Sequence, residues 1–169
     1  NLTLGGSATG GTTAYTYAWT TSSTNGGSLD PASGSGMYFT ANGATPGSVT
    51  VTLTVTDANQ CVSTTTQTVT VYQPATANAG APQTLCEDVA FSLSGSVGGS
   101  ATGGTWTTSG TGAFSDASSL TATYTPSAAD IQAGGVTLTL TTNDPAGPCP
   151  VATSTVVLTI NRKATVSVA

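Results

Sequence analysis

The sequence predicts an all-β protein built from two β-sandwich domains in tandem. The first observation is the run Val49–Thr56, in which Val and Leu alternate with Thr so that the apolar residues share one face of an extended chain. The second is that short runs of this kind recur, separated by segments rich in Gly, Ser, Asn and Pro. The third is that the pattern occurs twice, which indicates two domains in series.

The internal repeat is marked by the octapeptide Gly-Gly-Ser-Ala-Thr-Gly-Gly-Thr, which occurs at 5–12 and again at 98–105. Further matched positions are Leu2/Leu4 with Phe91/Leu93, Trp19 with Trp106, Val51-Thr-Leu53 with Val136-Thr-Leu138, Cys61 with Cys149, Val71 with Ile160, and Ala75-Thr76 with Ala164-Thr165. We therefore predict a first domain over 1–73 and a second over 74–162. Domains of this size bury only about 60–65% of the surface that their unfolded chains expose, so an additional covalent staple is expected.

In the first domain the pattern predicts strands near 2–5, 15–21, 37–40, 49–57 and 61–72. Trp19 lies mid-strand between polar neighbours, so we expect it to be the large inward residue of this core.

In the second domain we expect strands near 76–79, 89–94, 104–109, 121–125, 136–142 and 151–161, with Trp106 as the core anchor. One helical turn is predicted after Pro126. Ser127 and Asp130 have the spacing of a capping box, Ile131 would point inward, and Gly134-Gly135 would end the turn.

The two domains differ at their beginnings. The second has a leading segment, 75–89, that the first lacks, and the tail 163–169 matches the start of that segment. We therefore expect 163–169 to be the first strand of a following repeat, and the chain to be a window on a longer array. The tail would pair as a strand either within one long polypeptide or by strand complementation between identical subunits.

Composition excludes several classes of partner. Charged residues make up 5% of the chain, His is absent, and Arg162 and Lys163 supply the only basic side chains. Nucleic acids and anionic membranes are recognised by clusters of cations, which this chain cannot provide. The sequence also has no apolar run of the length that spans a membrane.

The pattern of acidic residues does not favour an enzyme. The carboxylates are Asp30, Asp57, Glu87, Asp88, Asp116, Asp130 and Asp144. Each Asp lies beside turn-forming residues, and Glu87 and Asp88 are adjacent and would point apart on a strand. Without His no Ser-His-Asp triad can form. We predict no catalytic residues and no cofactor.

Calcium is the one metal considered, because hard cations take Asp, Asn and backbone oxygens from loops. The candidate calcium ligands are Asp57 with Asn59 and Asn143 with Asp144, at corresponding corners of the two domains. Their alternative role is in simple Asx turns.

The cysteine positions predict one disulfide. Cys86 lies in the leading segment and Cys149 at the start of the last predicted hairpin arm, so a Cys86–Cys149 bond would staple the first strand to the second sandwich. The equivalent partner of Cys61 would fall outside the sequence. Such a bond implies an oxidising, extracytoplasmic setting.

The threonine faces allow two interpretations. Thr50, Thr52, Thr54 and Thr56 form one face, and Thr137, Thr139 and Thr141 form another. Flat arrays of hydroxyls could bind a polysaccharide or ice, or they could simply solubilise an exposed strand face without charge. Exposed aromatic clusters, which usually accompany carbohydrate sites, are missing, and Tyr72 and Tyr124 are isolated.

Tyr15-Thr-Tyr17-Ala-Trp19, followed by Val51-Thr-Leu-Thr-Val-Thr-Asp57-Ala-Asn-Gln-Cys61, resembles a PKD-type immunoglobulin-like domain. The acidic-Gly turn that usually follows the Trp is replaced by Thr20-Thr-Ser-Ser23 and Thr107-Thr-Ser-Gly110, so the resemblance is to divergent PKD-like repeats. Ala77–Glu87 and Pro126–Ile131 resemble repeats of long Bacteroidota surface proteins, including gliding and adhesion proteins.

The resemblance implies an elongated pair of immunoglobulin-like sandwiches in an extracellular adhesin or filament, where they act as a stalk or fibre-forming module. Partners would be neighbouring repeats or identical subunits joined through 163–169, and possible surface glycans. The alternative is a carbohydrate-binding accessory module of a secreted enzyme.

Overall fold

A computed structural model describes residues 2–22, 27–41, 46–143 and 147–167. The chain divides into two compact units, Asn1–Gln73 (unit 1) and Pro74–Ala169 (unit 2). Each unit has a hydrophobic core of its own. Apart from one short helix in unit 2, the regular secondary structure described in both units consists of strands, which confirms the predicted all-β class.

Unit 1 contains six described strands, which form two three-stranded antiparallel sheets in the orders β1-β4-β3 and β2-β5-β6. The strands are β1 Leu2–Gly5, β2 Thr16–Thr21, β3 Gly27–Asp30, β4 Gly36–Ala41, β5 Gly47–Thr56 and β6 Val62–Val71. Strand β3 was not predicted from the sequence, because its four residues, Gly-Ser-Leu-Asp, carry a single apolar side chain and no alternation.

The alternation in β5 determines how unit 1 packs. Val49, Val51 and Leu53 are buried while the intervening threonines are half-buried on the other face. Trp19 in β2 lies opposite Leu53, and its indole nitrogen donates to the Gly34 carbonyl at 2.9 Å. The remaining buried members of this core are Met37, Phe39 and Val71. Trp19 is therefore the core anchor that the sequence predicts.

Unit 2 contains nine described strands and one helix. The elements are β7 Thr76–Asn78, β8 Gln83–Cys86, β9 Phe91–Ser92, β10 Ser96–Gly98, β11 Gly104–Thr108, β12 Ala113–Phe114, β13 Thr123–Thr125, α1 Ala128–Ala133, β14 Gly135–Thr142 and β15 Thr153–Asn161. The sheets have the orders β11-β14-β15-β8, β12-β13-β9 and β10-β7. All pairs are antiparallel except β8 with β15.

The core of unit 2 is centred on Trp106, which is 2% exposed and lies opposite Leu140. Tyr124 is fully buried, and its ring packs against Phe114 with centroids 5.0 Å apart. The prediction that Tyr124 is an isolated aromatic is wrong, because Tyr124 points into the core from β13. The indole nitrogen of Trp106 has no hydrogen-bond partner among the described residues.

Helix α1 forms as the capping signals predict. The Ser127 side chain accepts from the Asp130 backbone, and the Asp130 side chain accepts from the Ser127 N–H. The helix ends at Gly134, whose φ of 76° lies in the left-handed region that glycine adopts without strain. Ile131 packs against the core of unit 2.

The two units share a frame of six strands. The sheet β2-β5-β6 corresponds to β11-β14-β15, and β1-β4-β3 corresponds to β9-β13-β12. Trp19 opposite Leu53 corresponds to Trp106 opposite Leu140, and Leu2 opposite Phe39 corresponds to Phe91 opposite Tyr124. Segments β7, β8, β10 and α1 have no counterpart among the described residues of unit 1.

The strand registers correct two sequence matches. Leu53 corresponds to Leu140, so Val51-Thr-Leu53 matches residues 138–140 and not Val136-Thr-Leu138. The repeated octapeptide also occupies different places. A Cβ on Gly6 would meet Trp19 and Leu53, whereas in unit 2 the glycine that lies against Trp106 and Leu140 is Gly95, outside the octapeptide.

The structure also corrects the predicted Cys86–Cys149 disulfide, since all three cysteines are free thiols. Cys86 lies opposite Asn161 at the end of β15. Cys149 precedes Ala152, which exchanges two hydrogen bonds with Thr142 near the other end of β15. Eight residues of strand separate Thr153 from Asn161, roughly 26 Å at the usual rise. A disulfide needs Cα atoms within about 7 Å, so this arrangement excludes it.

Candidate functional site

The main concave feature of unit 1 is a groove between β1 and β6. It has a volume of about 510 Å³ and is lined on its apolar side by Leu2, Leu4, Trp19, Val51, Leu53 and Val69. Thr65, Thr66, Gln67 and Thr68 of β6 form its polar wall. Leu2 is 44% exposed at its edge. We call this feature the β1–β6 groove.

In unit 2 the equivalent space is occupied by the chain itself. Strand β7 pairs antiparallel with β10 and contacts β14 and β15, while β8 pairs in parallel with the outer edge of β15. Ala75 and Ala79 are buried, and Leu85 packs against the core. The leading segment therefore covers the apolar surface of unit 2 that corresponds to the β1–β6 groove of unit 1.

A side-chain hydrogen bond fixes the leading segment to β15. The Ala79 N–H donates to the Ser154 hydroxyl at 3.1 Å. Because Val69 faces Val49 as Leu158 faces Val136, the counterpart of Ser154 in β6 is Thr65. Thr65 also carries a hydroxyl, and it lines the β1–β6 groove. The acceptor for a covering strand is thus present in both units.

The two edge strands differ in how deeply they are buried. In β15 the inward residues Val156, Leu158 and Ile160 are all buried. Their counterparts in β6 are Gln67, which is exposed, Val69, which is half-buried, and Val71, which is buried. Among the described residues, β6 is the last strand of its sheet.

A second cavity of about 390 Å³ adjoins this groove, with Ser7, Leu53 and Thr65 lining both. Asp57 closes one end of it, and its carboxylate accepts backbone N–H bonds from Thr12 at 3.1 Å, Asn59 at 2.9 Å and Cys61 at 2.8 Å. The bond from Thr12, followed by that from Cys61, lowers the pKa of Asp57.

These contacts define what the calcium candidates do in the structure. The Asp57 Oδ2 accepts from Thr12 and so holds the β5–β6 corner to the loop before β2, while Oδ1 accepts from Asn59 and Cys61 within the corner. The Asn59 amide donates to the Thr12 hydroxyl at 2.7 Å. In unit 2 the Asn143 side chain accepts from Thr102 and Gly103 and donates to the Thr102 hydroxyl. Asp144 lies outside the described residues. The bond from the Asn59 N–H to Asp57 has the form of an Asx turn, whereas the bonds to Thr12, Thr102 and Gly103 tie each corner to a loop that is distant in sequence.

Asp130 is the most deeply buried carboxylate described, at 4% exposure. It accepts from the N–H groups of Thr111 and Gly112 at 3.0 and 2.9 Å, from Ser127 N–H at 3.0 Å, and from the Tyr124 hydroxyl at 2.8 Å. Burial alone would raise the pKa of Asp130, but these hydrogen bonds outweigh it and lower the pKa. Desolvation is the main cause that raises the pKa of Tyr124.

The other described carboxylates have local roles. Asp116 accepts from the backbone and hydroxyl of Ser118. Asp88 forms an exposed ion pair with Lys163, which lowers the pKa of Asp88 and raises that of Lys163. Within the described parts of the chain, three or more His, Cys, Asp or Glu residues nowhere come together as a metal-binding group.

The threonine faces point outward in both units. Thr52 lies between Thr20 and Thr66 on adjacent strands, so unit 1 presents a continuous hydroxyl array on the outer face of β2-β5-β6. In unit 2 Thr139 lies between Thr107 and Thr155. Tyr72 is 42% exposed and lies beyond the end of β6.

Of the comparisons with known proteins, only the one with solved structures gives matches. No protein-family model matches the chain, and a search of curated proteins finds no match. Among solved structures, the chain is similar to human CDH23 EC21-23, with 15% identity, a TM-score of 0.44, and coverage of 86% of this chain and 58% of that chain. Mouse cadherin-23 EC22-24 gives 15% identity and a TM-score of 0.37, covering 88% of this chain and 53% of that one.

Human mucin-like protocadherin EC1-2 is similar at 10% identity with a TM-score of 0.36, covering 87% of this chain and 85% of that chain. At these scores the fold assignment rests on the strand pairing described above. No helix among the described residues is long and apolar enough to cross a membrane.

Proposed function

We propose that the chain is a structural repeat segment of an extracellular bacterial surface adhesin or filament, in which each sandwich occupies length as part of a stalk or fibre. The observation that carries this proposal is the repeated frame. Trp19 opposite Leu53 and Trp106 opposite Leu140 stand at the centre of two separate cores within one chain. Modules that repeat in this way build length by addition.

The chemistry of the described carboxylates supports a mechanical role. Asp57 and Asp130 accept three and four hydrogen bonds respectively from groups of their own units. A general acid or base must keep an oxygen for substrate. Here the carboxylates tie loops to sheets, so they resist separation of the strands.

The extracellular and Bacteroidota parts of the proposal rest on the PKD-like resemblance and on the hydroxyl-rich composition with 5% charged residues. The disulfide no longer supports them, since the cysteines are free thiols. The partners of such a module would be neighbouring repeats or other copies of the chain.

Single-molecule extension of the full chain tests the mechanical role. We expect two unfolding events, one per unit, with length gains of roughly 25 nm and roughly 30 nm from the extended length per residue. The event with the larger gain should need the larger force, because unit 2 has the larger core. A single concerted event, or gradual extension at forces near those of an unfolded chain, would contradict the proposal.

A carbohydrate-binding accessory module is the second candidate, and the continuous threonine array of unit 1 is the observation that favours it. A glycan array separates the two functions. Binding to one polysaccharide that is lost in a Thr20→Val, Thr52→Val, Thr66→Val variant would favour this candidate. Absence of binding across the array would leave the structural role as the account of the threonine faces.

A further inference from the structure

The outer face of the sheet β1-β4-β3 carries an exposed aromatic ring at its centre. Tyr38 lies in the middle strand, β4, and is 53% exposed, more than any other tyrosine described. Thr3 of β1 and Asp30 of β3 are its direct partners in the register, and both are exposed. Side chains opposite one another on neighbouring strands have Cβ atoms about 4.5–5.5 Å apart. A hydroxyl, a phenol ring and a carboxylate therefore stand in one row across the sheet.

One flank of this row is bare backbone. Gly5 and Gly36 pair with each other two residues along β1 and β4 from Thr3 and Tyr38, and so lie on the same face. A Cβ built on Gly5 or Gly36 would have only a carbonyl oxygen near it, at 3.9 and 3.8 Å respectively. A flat ligand beside the phenol ring meets no side chain there. We call Thr3, Gly5, Asp30, Gly36 and Tyr38 the Tyr38 face.

The Asp30 carboxylate has no described role within its own unit. The other described aspartates all accept hydrogen bonds from their own chain, namely Asp57, Asp88, Asp116 and Asp130. Among the described residues, none forms a hydrogen bond or an ion pair with the Asp30 side chain. An ionised carboxylate only accepts hydrogen bonds, so Asp30 can take two from the hydroxyl groups of a ligand.

Unit 2 shows that the six-strand frame does not require these residues. The strand pairing there places at the five positions of the Tyr38 face, in order, Ser92, Ser94, Ser115, Thr121 and Thr123. The aromatic ring, the carboxylate and both glycines are thus particular to unit 1. Those residues of unit 2 at the row positions, Ser92, Ser115 and Thr123, are exposed although the leading segment is present. The leading segment therefore does not cover this face of the frame.

We propose that the Tyr38 face binds a sugar residue of a neutral polysaccharide. A pyranose with equatorial hydroxyls presents a layer of axial C–H groups surrounded by a rim of hydroxyls. The C–H layer fits the apolar face of the Tyr38 ring, and the rim hydroxyls donate to Asp30 and bond with Thr3. Ligand sites combine an aromatic surface with a few placed polar groups in this way. This function goes beyond the stalk role and lies on a different sheet from the threonine array.

Charge narrows the class of ligand. Residues 1–73 contain no Lys, Arg or His, so unit 1 offers no cation to an acidic glycan, and Asp30 would repel one. A cation can also contact a tyrosine ring and a carboxylate. The bare glycine flank and the Thr3 hydroxyl instead favour a flat ligand that carries hydroxyls around its edge.

The test is an NMR titration of the full chain with the neutral oligosaccharides cellohexaose, xylohexaose and chitohexaose. We expect at least one of them to bind with a Kd of about 1 mM and to shift the amide signals of Thr3, Asp30 and Tyr38. Tyr38→Thr and Asp30→Ser each give unit 1 the residue that unit 2 carries, and each should weaken binding at least fivefold. Tyr38→Phe keeps the ring and should bind within twofold of the parent chain.

Tyr72→Thr is the matched control, because Tyr72 is an exposed tyrosine beyond the end of β6. It should change the affinity less than twofold.

Three results would overturn the proposal. The first is the absence of shifts with all three oligosaccharides at about 5 mM, five times the expected Kd. The second is a set of shifts centred on Thr20, Thr52 and Thr66, which would assign saccharide binding to the threonine array. The third is an equal response of the Tyr38 face to N-acetyl-arginine amide, which would assign the face to cations. The stalk role is untouched by any of them, because it is tested by extension and not by saccharide binding.

Discussion

Units 1 and 2 are two versions of one frame, and the difference lies in what covers the edge next to β6 and β15. In unit 2 the leading segment closes that edge, and the described core includes twelve buried residues. In unit 1 no described strand covers that edge, and the described core includes seven. The comparison teaches that, on one shared six-strand frame, the unit whose edge is covered has the larger described core.

The largest expected effect compares Leu140→Ala with Leu53→Ala. Leu140 is fully buried, so its truncation leaves a closed cavity, whereas Leu53 lines the open groove. We expect losses of about 4 kcal/mol in unit 2 and about 2 kcal/mol in unit 1. The free energy of unfolding of each unit is read from its slowest-exchanging amides in the same sample. Equal losses would mean that the groove is closed in solution.

Asp130→Asn should destabilise unit 2 by about 2–3 kcal/mol. The new amide would point its own N–H groups at donors that contact a carboxylate oxygen in the parent chain. The amide keeps one acceptor oxygen, so either the Thr111 N–H loses its acceptor or the Gly112 N–H and the Tyr124 hydroxyl, which share the other oxygen, lose theirs. Amide exchange of unit 1 in the same variant is the internal control. An unchanged unit 2 would contradict the role given to Asp130.

Acid should weaken both units by the same mechanism. The pKa values of Asp57 and Asp130 are lowered in the folded chain below the ordinary 3.8, so folding favours the ionised forms. Their contribution is fully present above that ordinary value and is lost as the pH falls through the lower folded values. In Asp57→Asn the stability that is lost on acidification should become smaller in unit 1 and stay unchanged in unit 2. Amide exchange between about pH 2 and 5 checks this.

A smaller difference is expected between Trp19→Phe and Trp106→Phe. The Trp19 indole donates to Gly34, whereas the buried Trp106 nitrogen has no partner in the part of the chain that the structure describes. Removing the first breaks a hydrogen bond worth about 1 kcal/mol, while removing the second relieves an unsatisfied donor. We therefore expect Trp19→Phe to lower the free energy of unfolding of unit 1 by a larger fraction than Trp106→Phe lowers that of unit 2, as measured by amide exchange in the two variants. The reverse order would indicate that Trp106 has a partner in solution.

The smallest effect should come from Lys163→Ala. Lys163 and Asp88 are both about half-exposed, with side-chain exposures of 55% and 53%, so their ion pair is screened by water and salt. Thermal unfolding of unit 2 should match that of the parent chain within error at physiological salt. A clear loss of stability would show that this pair anchors the start of the tail.

The sequence was informative where periodicity was long or chemistry was local. Eight residues of β5, Val49–Thr56, alternate without interruption, and the capping box of α1 needs only four consecutive residues, so both are predictable. The short strands β3 and β12 have four and two residues, and tertiary pairing rather than local pattern makes them strands.

The disulfide and the repeat alignment were wrong for a related reason. A match by residue identity does not give register, and a shift of two residues keeps every side chain on its face. By residue type alone, Val136-Thr-Leu138 therefore matches Val51-Thr-Leu53 as well as residues 138–140 do. The parallel pairing of β8, which carries Cys86 to the far end of β15, leaves no local signal.

The amide exchange rates of Thr70 and Thr159 test the central comparison most directly, because these are the same residue type at corresponding positions of β6 and β15. The Ile160 N–H donates to the Gly134 carbonyl. Because successive N–H groups of a strand point to opposite sides, the Thr159 N–H points toward β8 and is covered, whereas the corresponding edge at Thr70 has no described strand beside it. In dilute solution we predict slow exchange at Thr159 and exchange near the free-peptide rate at Thr70. Equal protection of the two amides would contradict an open edge in unit 1.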